Sequence, residues 1–450
     1  MRDRPVVIVI SDLHLGGGAA DRGDDHVFDN HQLQRFIDGL LASADGQAGR
    51  IELYINGDFL EFAQVRPEVY TLRSARAWCS EQESLAKLEA ILQGHANVFD
   101  ALRRFSGPGN VVALAAGNHD VDLFWSGVQA RLKAVAGELR FVLGDEWTAR
   151  FGGLLQIAHG HQRDQANRFK NWSSPFLEHR GERRLEMCPG TLFMVKFVNW
   201  LEDRYPFADN IKPVGALRRI LWRENKLGLL TVAWMLSRFA LRHPGASMGK
   251  GAEQLSEEHL FRVIVDGIQD DAALAETVRG WYRRHFESGA SDEAVDAALR
   301  EPKRLEQLLM SVMAEEDPAV LQDAFNTVTV RPGTLGDTQN TLQIAAQGRV
   351  DDKQLFRELA RERMDETGAK VVVLGHTHCP DEVRDGATCY FNPGSWTRYA
   401  ELDKHAGLTL ESLRDETRYP YALNFVRVEQ RKDGGLEASM LNFEKSAGGV

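Results

Sequence analysis

Five short apolar runs along the chain each end in a cluster of polar residues. Near-continuous runs of Val, Ile and Leu are typical of strands that are buried on both faces. The polar clusters would then meet at one edge of a sheet, where open α/β folds place their sites. The runs are Val6–Ile10, Ile51–Ile55, Val111–Ala116, Leu154–Ala158 and Val371–Leu374.

Helical patterns separate the first three of these strands. The stretches Asp29–Ala42 and Ser80–Phe105 carry apolar residues at helical spacing. Strands that alternate with helices are typical of an α/β fold, because the helices pack on the sheet that the strands form. The pattern therefore predicts an α/β fold.

Two glycine-containing turns predict hairpins. The dipeptide Gly-Gly separates Thr148–Phe151 from Leu154–Ala158. The turn Lys-Asp-Gly-Gly separates Asn424–Gln430 from Leu436–Phe443. Because glycine turns between β-rich runs are a strong hairpin signal, the sheets should be mixed rather than purely parallel.

The alternation of strands and polar clusters stops between about residues 166 and 345. This stretch predicts helices joined by loops, in two halves of opposite charge. Residues 163–250 contain 16 basic and 8 acidic side chains, whereas residues 251–340 contain 8 basic and 18 acidic ones. We therefore predict a core of residues 1–165 and 346–450 and a mainly helical insertion, a cap or lid, over 166–345.

Composition and charge narrow the class of protein. The 450 residues are 43% hydrophobic and 26% charged, as in ordinary globular proteins, and the net charge of −11 argues against nucleic acid as a partner. The four cysteines include no CxxC pair, which suits a reducing compartment. The first apolar run is too short for a secretory signal, and no run of about 18 apolar residues predicts a spanning helix. We expect a cytoplasmic protein, with a peripheral contact at the inner face of the membrane left open.

The polar clusters supply the residue types of a metal site. Imidazole, carboxylate and amide oxygen together suit ions such as Mn, Fe or Zn, whereas a thiolate site would need cysteines. Seven candidate ligands suit two ions that share a carboxylate, and two ions about 3.5–4 Å apart promote in-line displacement at phosphorus. The chemistry expected is phosphoester hydrolysis. The polar residues of these clusters, seven of which would be ligands, are Asp12, His14, Asp58, Asn118, His119, Asp120, His159, His376 and His378.

Five blocks of these residues resemble the signature of the calcineurin-like metallophosphoesterase superfamily. The blocks are Asp12-x-His14, Gly57-Asp58, Gly117-Asn118-His119-Asp120, His159-Gly160 and Gly375-His376-x-His378. They stand in the family's order and cover roughly residues 5–165 and 370–445. The resemblance implies a four-layer α-β-β-α sandwich of two mixed sheets, here with a large helical insertion.

The resemblance also implies a role for each block. Two divalent ions (Mn, Fe, Zn or Ni, with Mn favoured) would share Asp58, and a bridging hydroxide would be the nucleophile. His119, oriented by Asp120, would stabilise charge or protonate the leaving oxygen. One ion would be held by Asp12, His14, Asp58 and His378, and the other by Asp58, Asn118, His159 and His376.

Two further polar residues follow His159. His161 and Asp164 could line the substrate side, orient His159 from behind, or only structure their loop. The sequence leaves these three readings open.

The opening block and Gly57–Glu61 resemble those of bacterial UDP-2,3-diacylglucosamine hydrolases, which cleave a lipid-linked pyrophosphate under a helical lid. The chain differs from that group at His119, where the group typically has Arg, and in its longer insertion. Residues 190–242 combine tryptophans, apolar residues and basic flanks, as interfacial helices do. A helical cap that buries these residues is the alternative.

The function expected is hydrolysis of a phosphodiester or pyrophosphate, with an amphiphilic, lipid-linked substrate as one possibility. A phosphomonoesterase or protein phosphatase is the alternative enzyme. A membrane-surface adaptor whose metal site is structural is the alternative without catalysis.

Overall fold

A computed structural model describes most of the first of two compact units of the chain and a smaller part of the second. The first compact unit comprises Met1–Pro206, Val350–Tyr399 and Tyr419–Val450, and the second comprises Phe207–Arg349 and Ala400–Arg418. The division into a core and an insertion over 166–345 stays a prediction. The described residues are 5–18, 30–70, 76–164, 166–195, 199, 211–212, 261, 264–266, 268–269, 272–314, 352–397, 400–401 and 422–444.

The described strands and helices alternate along the first unit, so this unit is α/β. The strands are β1 Val6–Ile10, β2 Ile51–Asn56, β3 Val111–Ala115, β4 Leu139–Val142, β5 Thr148–Arg150, β6 Leu155–Ala158, β7 Phe176–His179, β8 Glu182–Leu185, β9 Ile211–Lys212, β10 Val371–Leu374, β11 Asp381–Asp385, β12 Thr388–Asn392, β13 Ala400–Glu401, β14 Asn424–Gln430 and β15 Leu436–Asn442. The helices are α1 Asn30–Ala42, α2 Ala44–Gln47, α3 Glu81–Gly94, α4 Ala96–Ser106, α5 Ser126–Ala136, α6 Pro189–Phe193, α7 Ala272–His285, α8 Asp292–Leu299, α9 Pro302–Ala314 and α10 Asp352–Thr367.

Two mixed sheets form the centre of the first unit. One has the strand order β15–β14–β1–β2–β3–β4, in which β1 to β4 are parallel and β14 and β15 are antiparallel. The other has the order β11–β12–β10–β6–β5, with β6, β10 and β12 parallel. The predicted mixed sheets and both hairpins, β5–β6 and β14–β15, are confirmed.

The two sheets share one apolar core. Val9, Tyr54 and Ala113 of the six-stranded sheet belong to the same buried cluster as Ile157 and Val373 of the five-stranded sheet. Side chains alternate between the faces of a strand. On the opposite face of the five-stranded sheet, α10 packs against β10 in a second buried cluster. The sites at the strand ends are therefore held by strands whose two faces are covered.

Two details of the first unit differ from the sequence predictions. The helix expected over Ser80–Phe105 is divided at His95, whose φ and ψ of −129° and 30° are not helical, into α3 and α4. Strands β7 and β8 lie in the stretch predicted to contain only helices and loops, and that prediction is wrong there. Arg180 and Gly181 join these strands with φ values of 55° and 79°, which a tight hairpin turn requires.

The described part of the second unit is mainly helical. Helices α7, α8 and α9 enclose an apolar core that includes Val278, Trp281, Val295 and Leu308. Strands β9 and β13 pair in parallel. Most of the segment 190–242, with its predicted membrane contact, lies outside the described residues. Among the described helices, none combines the length and the apolar character needed to cross a bilayer.

Candidate metal centre

The polar residues that follow β1, β2, β6 and β10 meet at one place. Backbone hydrogen bonds join the strand ends, from Asp12 N to Gly57 O at 3.2 Å and from Gly375 N to His159 O at 3.0 Å. Three groups of residues result, and they are positioned to hold metal ions. Within each group, the ligand atoms all lie within 4.8 Å of one another. The groups are Asp12, His14, Asp58 and His378; Asp58, His159 and His376; and His14, Glu61 and His119.

The backbone at this place is held in a conformation that most residues avoid. Seven described residues other than glycine have positive φ, and five of them belong to these groups. Each such residue costs on the order of 1–3 kcal/mol and persists only where the surrounding structure enforces it. The five are Asp12 at 56°, His14 at 49°, Asp58 at 50°, His376 at 67° and His378 at 58°.

Glycine is required beside two of the ligands. A Cβ on Gly57, whose φ is 79°, would overlap the ring of His159, and a Cβ on Gly117 would overlap the carboxylate of Asp58. The two glycines let neighbouring strand ends approach until their side chains share one space. This explains why Gly precedes both Asp58 and Asn118 in the sequence.

Hydrogen bonds fix which nitrogen of His159 faces the site. The Nδ1 of His159 lies 2.7 Å from the carbonyl oxygen of Asn56, which only accepts, so Nδ1 carries the proton. The Nε2 is buried, lies 3.1 Å from the Asp58 carboxylate and has no satisfactory hydrogen bond among the described residues. A lone pair directed at a shared space in this way is what a metal ligand needs.

Glu61 holds two histidines through one oxygen. Its Oε2 lies 2.7 Å from His14 Nδ1 and 2.6 Å from His119 Nδ1, and its carboxylate is fully buried. Because a carboxylate only accepts, His14 donates from Nδ1 and keeps the lone pair of Nε2 for the site. That Nε2 lies 3.0 Å from His378 Nε2, a separation that needs a proton or a cation between the two nitrogens.

The charges of the cluster determine its proton affinities. Burial would raise the pKa of Asp12, but His159 and His378 lower it to about 2. Burial would lower the pKa of His159, but Asp58 and Asp12 raise it to about 9. Protons on histidine therefore balance the carboxylates in the metal-free protein. A divalent ion would displace these protons, since ligand histidines bind as neutral rings.

His119 has a raised proton affinity in the metal-free protein. Burial would lower its pKa, but Glu61 and Asp58 raise it to about 10. Its backbone N–H donates to Asp58 Oδ1 at 2.9 Å, and its side chain is 15% exposed. In the metal-free protein His119 is therefore protonated at neutral pH, next to the shared carboxylate and open to one side.

Asp120 was expected to contact His119, but its carboxylate binds backbone N–H groups instead. Its Oδ1 accepts from Gly117 N at 2.5 Å and its Oδ2 accepts from Phe59 N at 2.8 Å. Burial and the charge of Asp58 raise the pKa of Asp120 to about 7. The structure thus places Glu61 against the His119 ring, while Asp120 ties the ends of β2 and β3 together.

Asn118 has a buried amide oxygen that no described residue satisfies. Its Nδ2 donates to Asn167 Oδ1 at 3.2 Å, and its Oδ1 is buried without a hydrogen-bond partner among the described residues. The next residue in the chain, His119, donates its backbone N–H to the Asp58 carboxylate. An orphaned buried amide oxygen beside carboxylates and imidazoles fits a divalent cation.

His161 and Asp164 occupy different surroundings. His161 is buried with its ring 4.4 Å from that of Trp172, and burial with the nearby His159 and His376 holds its pKa well below the usual range. Asp164 Oδ2 lies 3.1 Å from His376 Nε2, so Asp164 contacts His376 rather than His159. Burial would raise the pKa of Asp164, but this contact with His376 lowers it.

Glu61 and Asn167 are the residues that the sequence reasoning missed. Glu61 follows Asp58 by three residues within the same strand-end cluster, a position that could have been noticed. Asn167 offers no such signal, because its contact with Asn118 joins distant parts of the chain. No known family model matches the chain, and no curated protein does. The α/β fold and the His and Asp cluster therefore carry the functional argument alone.

Proposed function

We propose that the protein is a two-metal phosphoesterase of the calcineurin-like kind, which hydrolyses a phosphodiester or a pyrophosphate. The observation that carries this proposal is the sharing of Asp58 by two groups of ligand atoms. A common carboxylate between two ligand groups is the arrangement expected of a dinuclear site. The two sheets with a common core, and α10 on an outer face, support the four-layer sandwich as its fold.

The donor set fits two divalent ions of the Mn, Fe, Zn or Ni type. Asp12, His14 and His378 would hold one ion with Asp58, while Asn118, His159 and His376 would hold the other with Asp58. Such ions supply a nucleophile at neutral pH and neutralise charge on phosphoryl oxygens. We favour Mn, because oxygen ligands accompany the imidazoles.

The chain's own residues would handle the charge and the proton of the leaving group. His119 lies beside Asp58, is exposed on one side, is held at Nδ1 by Glu61 and has a pKa raised to about 10 in the metal-free protein. Its other ring nitrogen would donate to a phosphoryl or leaving oxygen, which stabilises developing charge. Asp120 would act through the backbone, by keeping Gly117 and Phe59 in register.

The test is hydrolysis of bis(p-nitrophenyl) phosphate by metal-stripped protein that is resupplied in turn with Mn, Fe, Zn, Ni and Mg. We expect metal-dependent turnover that Asp58→Asn reduces at least about 100-fold, since a shared ligand contributes more than the 10–100-fold typical of outer residues. Asp100→Asn is the matched control, because Asp100 is an exposed carboxylate on α4. Turnover that persists in Asp58→Asn would contradict the proposal.

Two further substrates decide between classes. Faster hydrolysis of p-nitrophenyl phosphate or of a phosphopeptide would favour a phosphomonoesterase or protein phosphatase. Binding of two ions without turnover of any ester, together with binding to anionic vesicles, would favour a membrane-surface adaptor. The amphiphilic substrate, the cytoplasmic location and the membrane contact of residues 190–242 stay predictions.

A further inference from the structure

A chain of hydrogen bonds runs behind the ligand groups from Asn118 to His376. Asn118 Nδ2 donates to Asn167 Oδ1 at 3.2 Å, and Asn167 Nδ2 donates to Asp164 Oδ2 at 2.6 Å. The same Asp164 oxygen lies 3.1 Å from His376 Nε2. Two residues outside the five sequence blocks thus connect two candidate ligands that are far apart in the sequence.

Asp164 determines which group donates and which accepts in each of these hydrogen bonds. At neutral pH Asp164 is a carboxylate, which only accepts hydrogen bonds. Asn167 must therefore turn its NH₂ group toward Asp164 and its carbonyl oxygen toward Asn118. Asn118 must then donate from its own NH₂ group, which leaves its Oδ1 outside this set of hydrogen bonds and available as a ligand atom. That Oδ1 is buried and has no hydrogen-bond partner among the described residues.

The same carboxylate selects the tautomer of His376. Because Asp164 accepts, His376 carries its proton on Nε2 and keeps the Nδ1 lone pair available. The other oxygen of Asp164 accepts from Ala166 N at 2.9 Å, so both oxygens are engaged within the protein. Asp164 is therefore better suited to orient a ligand than to contact a substrate.

The backbone around Asn167 is shaped to hold it. Gly190 N donates to Ala166 O at 2.7 Å, which brings α6 against this loop. A Cβ on Gly190 would overlap Asn167 Oδ1, the atom that accepts from Asn118. The φ of Gly190 is not in the left-handed region, so the absence of a side chain serves the close approach.

We propose that Asp164 and Asn167 are positioning residues that orient Asn118 and His376 for one of the two metal ions. This inference rests on the proposed two-metal site but not on the reaction that the site performs. It assigns the pair to the ion held with His159, and leaves the ion held by Asp12, His14 and His378 to other contacts. Asp164 and Asn167 thereby strengthen the binding of one ion and not of the other.

The test is calorimetric titration of metal-stripped full-length protein with Mn²⁺, with no phosphoester present. We expect two binding events in the wild type. Asn167→Ala and Asp164→Asn should weaken one event about 10–100-fold and leave the other unchanged, as loss of outer contacts to ligands does. Gly190→Ala should have the same effect without altering either residue, because it displaces Asn167.

The controls separate positioning from folding. Asn171→Ala changes an exposed asparagine of the same loop and should leave both events unchanged. The thermal midpoint of metal-free Asn167→Ala should stay close to that of the wild type. Electron paramagnetic resonance should show Mn–Mn coupling in the wild type at Mn²⁺ concentrations that occupy both sites. At the same concentrations the coupling should be lost in Asn167→Ala, because only one of its sites is occupied.

The outcomes are distinct from those of the activity test. Wild-type binding of two ions without hydrolysis of any ester would contradict the proposed function and leave this inference standing. Variants that bind both ions as tightly as the wild type would overturn the inference. Equal weakening of both events, or a wild type that binds fewer than two ions, would overturn it as well.

Discussion

The strand ends of the first unit and the helices α7–α9 of the second are stabilised in different ways. At the strand ends, buried Asp12, Asp58 and Glu61 lie among histidines, and five residues have left-handed backbone. Burying ionisable groups and straining the backbone both oppose folding. These residues are therefore held in place by the sheets beneath them.

The helices α7–α9 place apolar groups inside and charges outside. Trp281 and Leu308 are fully buried, while Arg279 pairs with Asp296 at 2.6 Å with about a quarter of each side chain exposed. Exposed ion pairs contribute little, so burial of apolar surface stabilises this core. The difference teaches that mutations at the strand ends should change chemistry, whereas mutations in α7–α9 should change stability.

The largest expected effect on stability comes from the helical core. Leu308→Ala removes a fully buried side chain from the α7–α9 cluster and should lower the free energy of unfolding by about 2–5 kcal/mol. Chemical denaturation followed by circular dichroism measures this change. We expect the folded variant to bind Mn²⁺ with the wild-type affinity. A large loss of affinity would contradict the distinction between the helical core and the strand ends.

Glu61→Gln tests whether a substitution at the strand ends changes activity. The substitution keeps the size of the side chain but removes the charge that holds His14 and His119, so we expect about a 10–100-fold loss of kcat/KM. Without Glu61 the pKa of His119 falls, and the alkaline limb of the pH profile should move to lower pH. An unchanged profile would contradict the role of Glu61.

The pH dependence of stability offers a third contrast. The pKa of His159 is raised to about 9 and that of His119 to about 10 in the metal-free protein. The stability that these protonated rings contribute is fully present below the unfolded-state pKa of about 6.5, and is lost as pH rises through 9 to 10. The thermal midpoint of metal-free protein should therefore fall over this range, and saturating Mn²⁺ should reduce the fall.

The smallest expected effect lies at the start of α8. Ser291 Oγ accepts from Ala294 N at 3.2 Å and caps this helix. Ser291→Ala should cost about 1 kcal/mol of stability and leave kcat unchanged. Ser291→Asp, which restores a capping acceptor, should recover the loss. A change in metal binding would show that the two regions are coupled.

The strand ends that supply the ligands were predictable because buried strands leave a local signature. The apolar runs before Asp12, Asp58 and His376 coincide with β1, β2 and β10, and each strand differs from its prediction by at most one residue. Hairpin turns with two glycines are equally local. The hairpin β7–β8 was missed because its strands carry many charges, and its turn contains one glycine after Arg180.

The sequence by itself determined the α/β class and the residue types of the site, since apolar runs and turn residues act over a few positions. Only the tertiary structure decided which groups meet. Glu61, rather than Asp120, contacts His119, and Asp164 contacts His376 across 212 residues. Such contacts depend on strand order, β14–β1–β2–β3 in one sheet and β12–β10–β6 in the other. Strand order follows from packing the whole chain, because long-range pairing is selected by the shared core and not by local propensity.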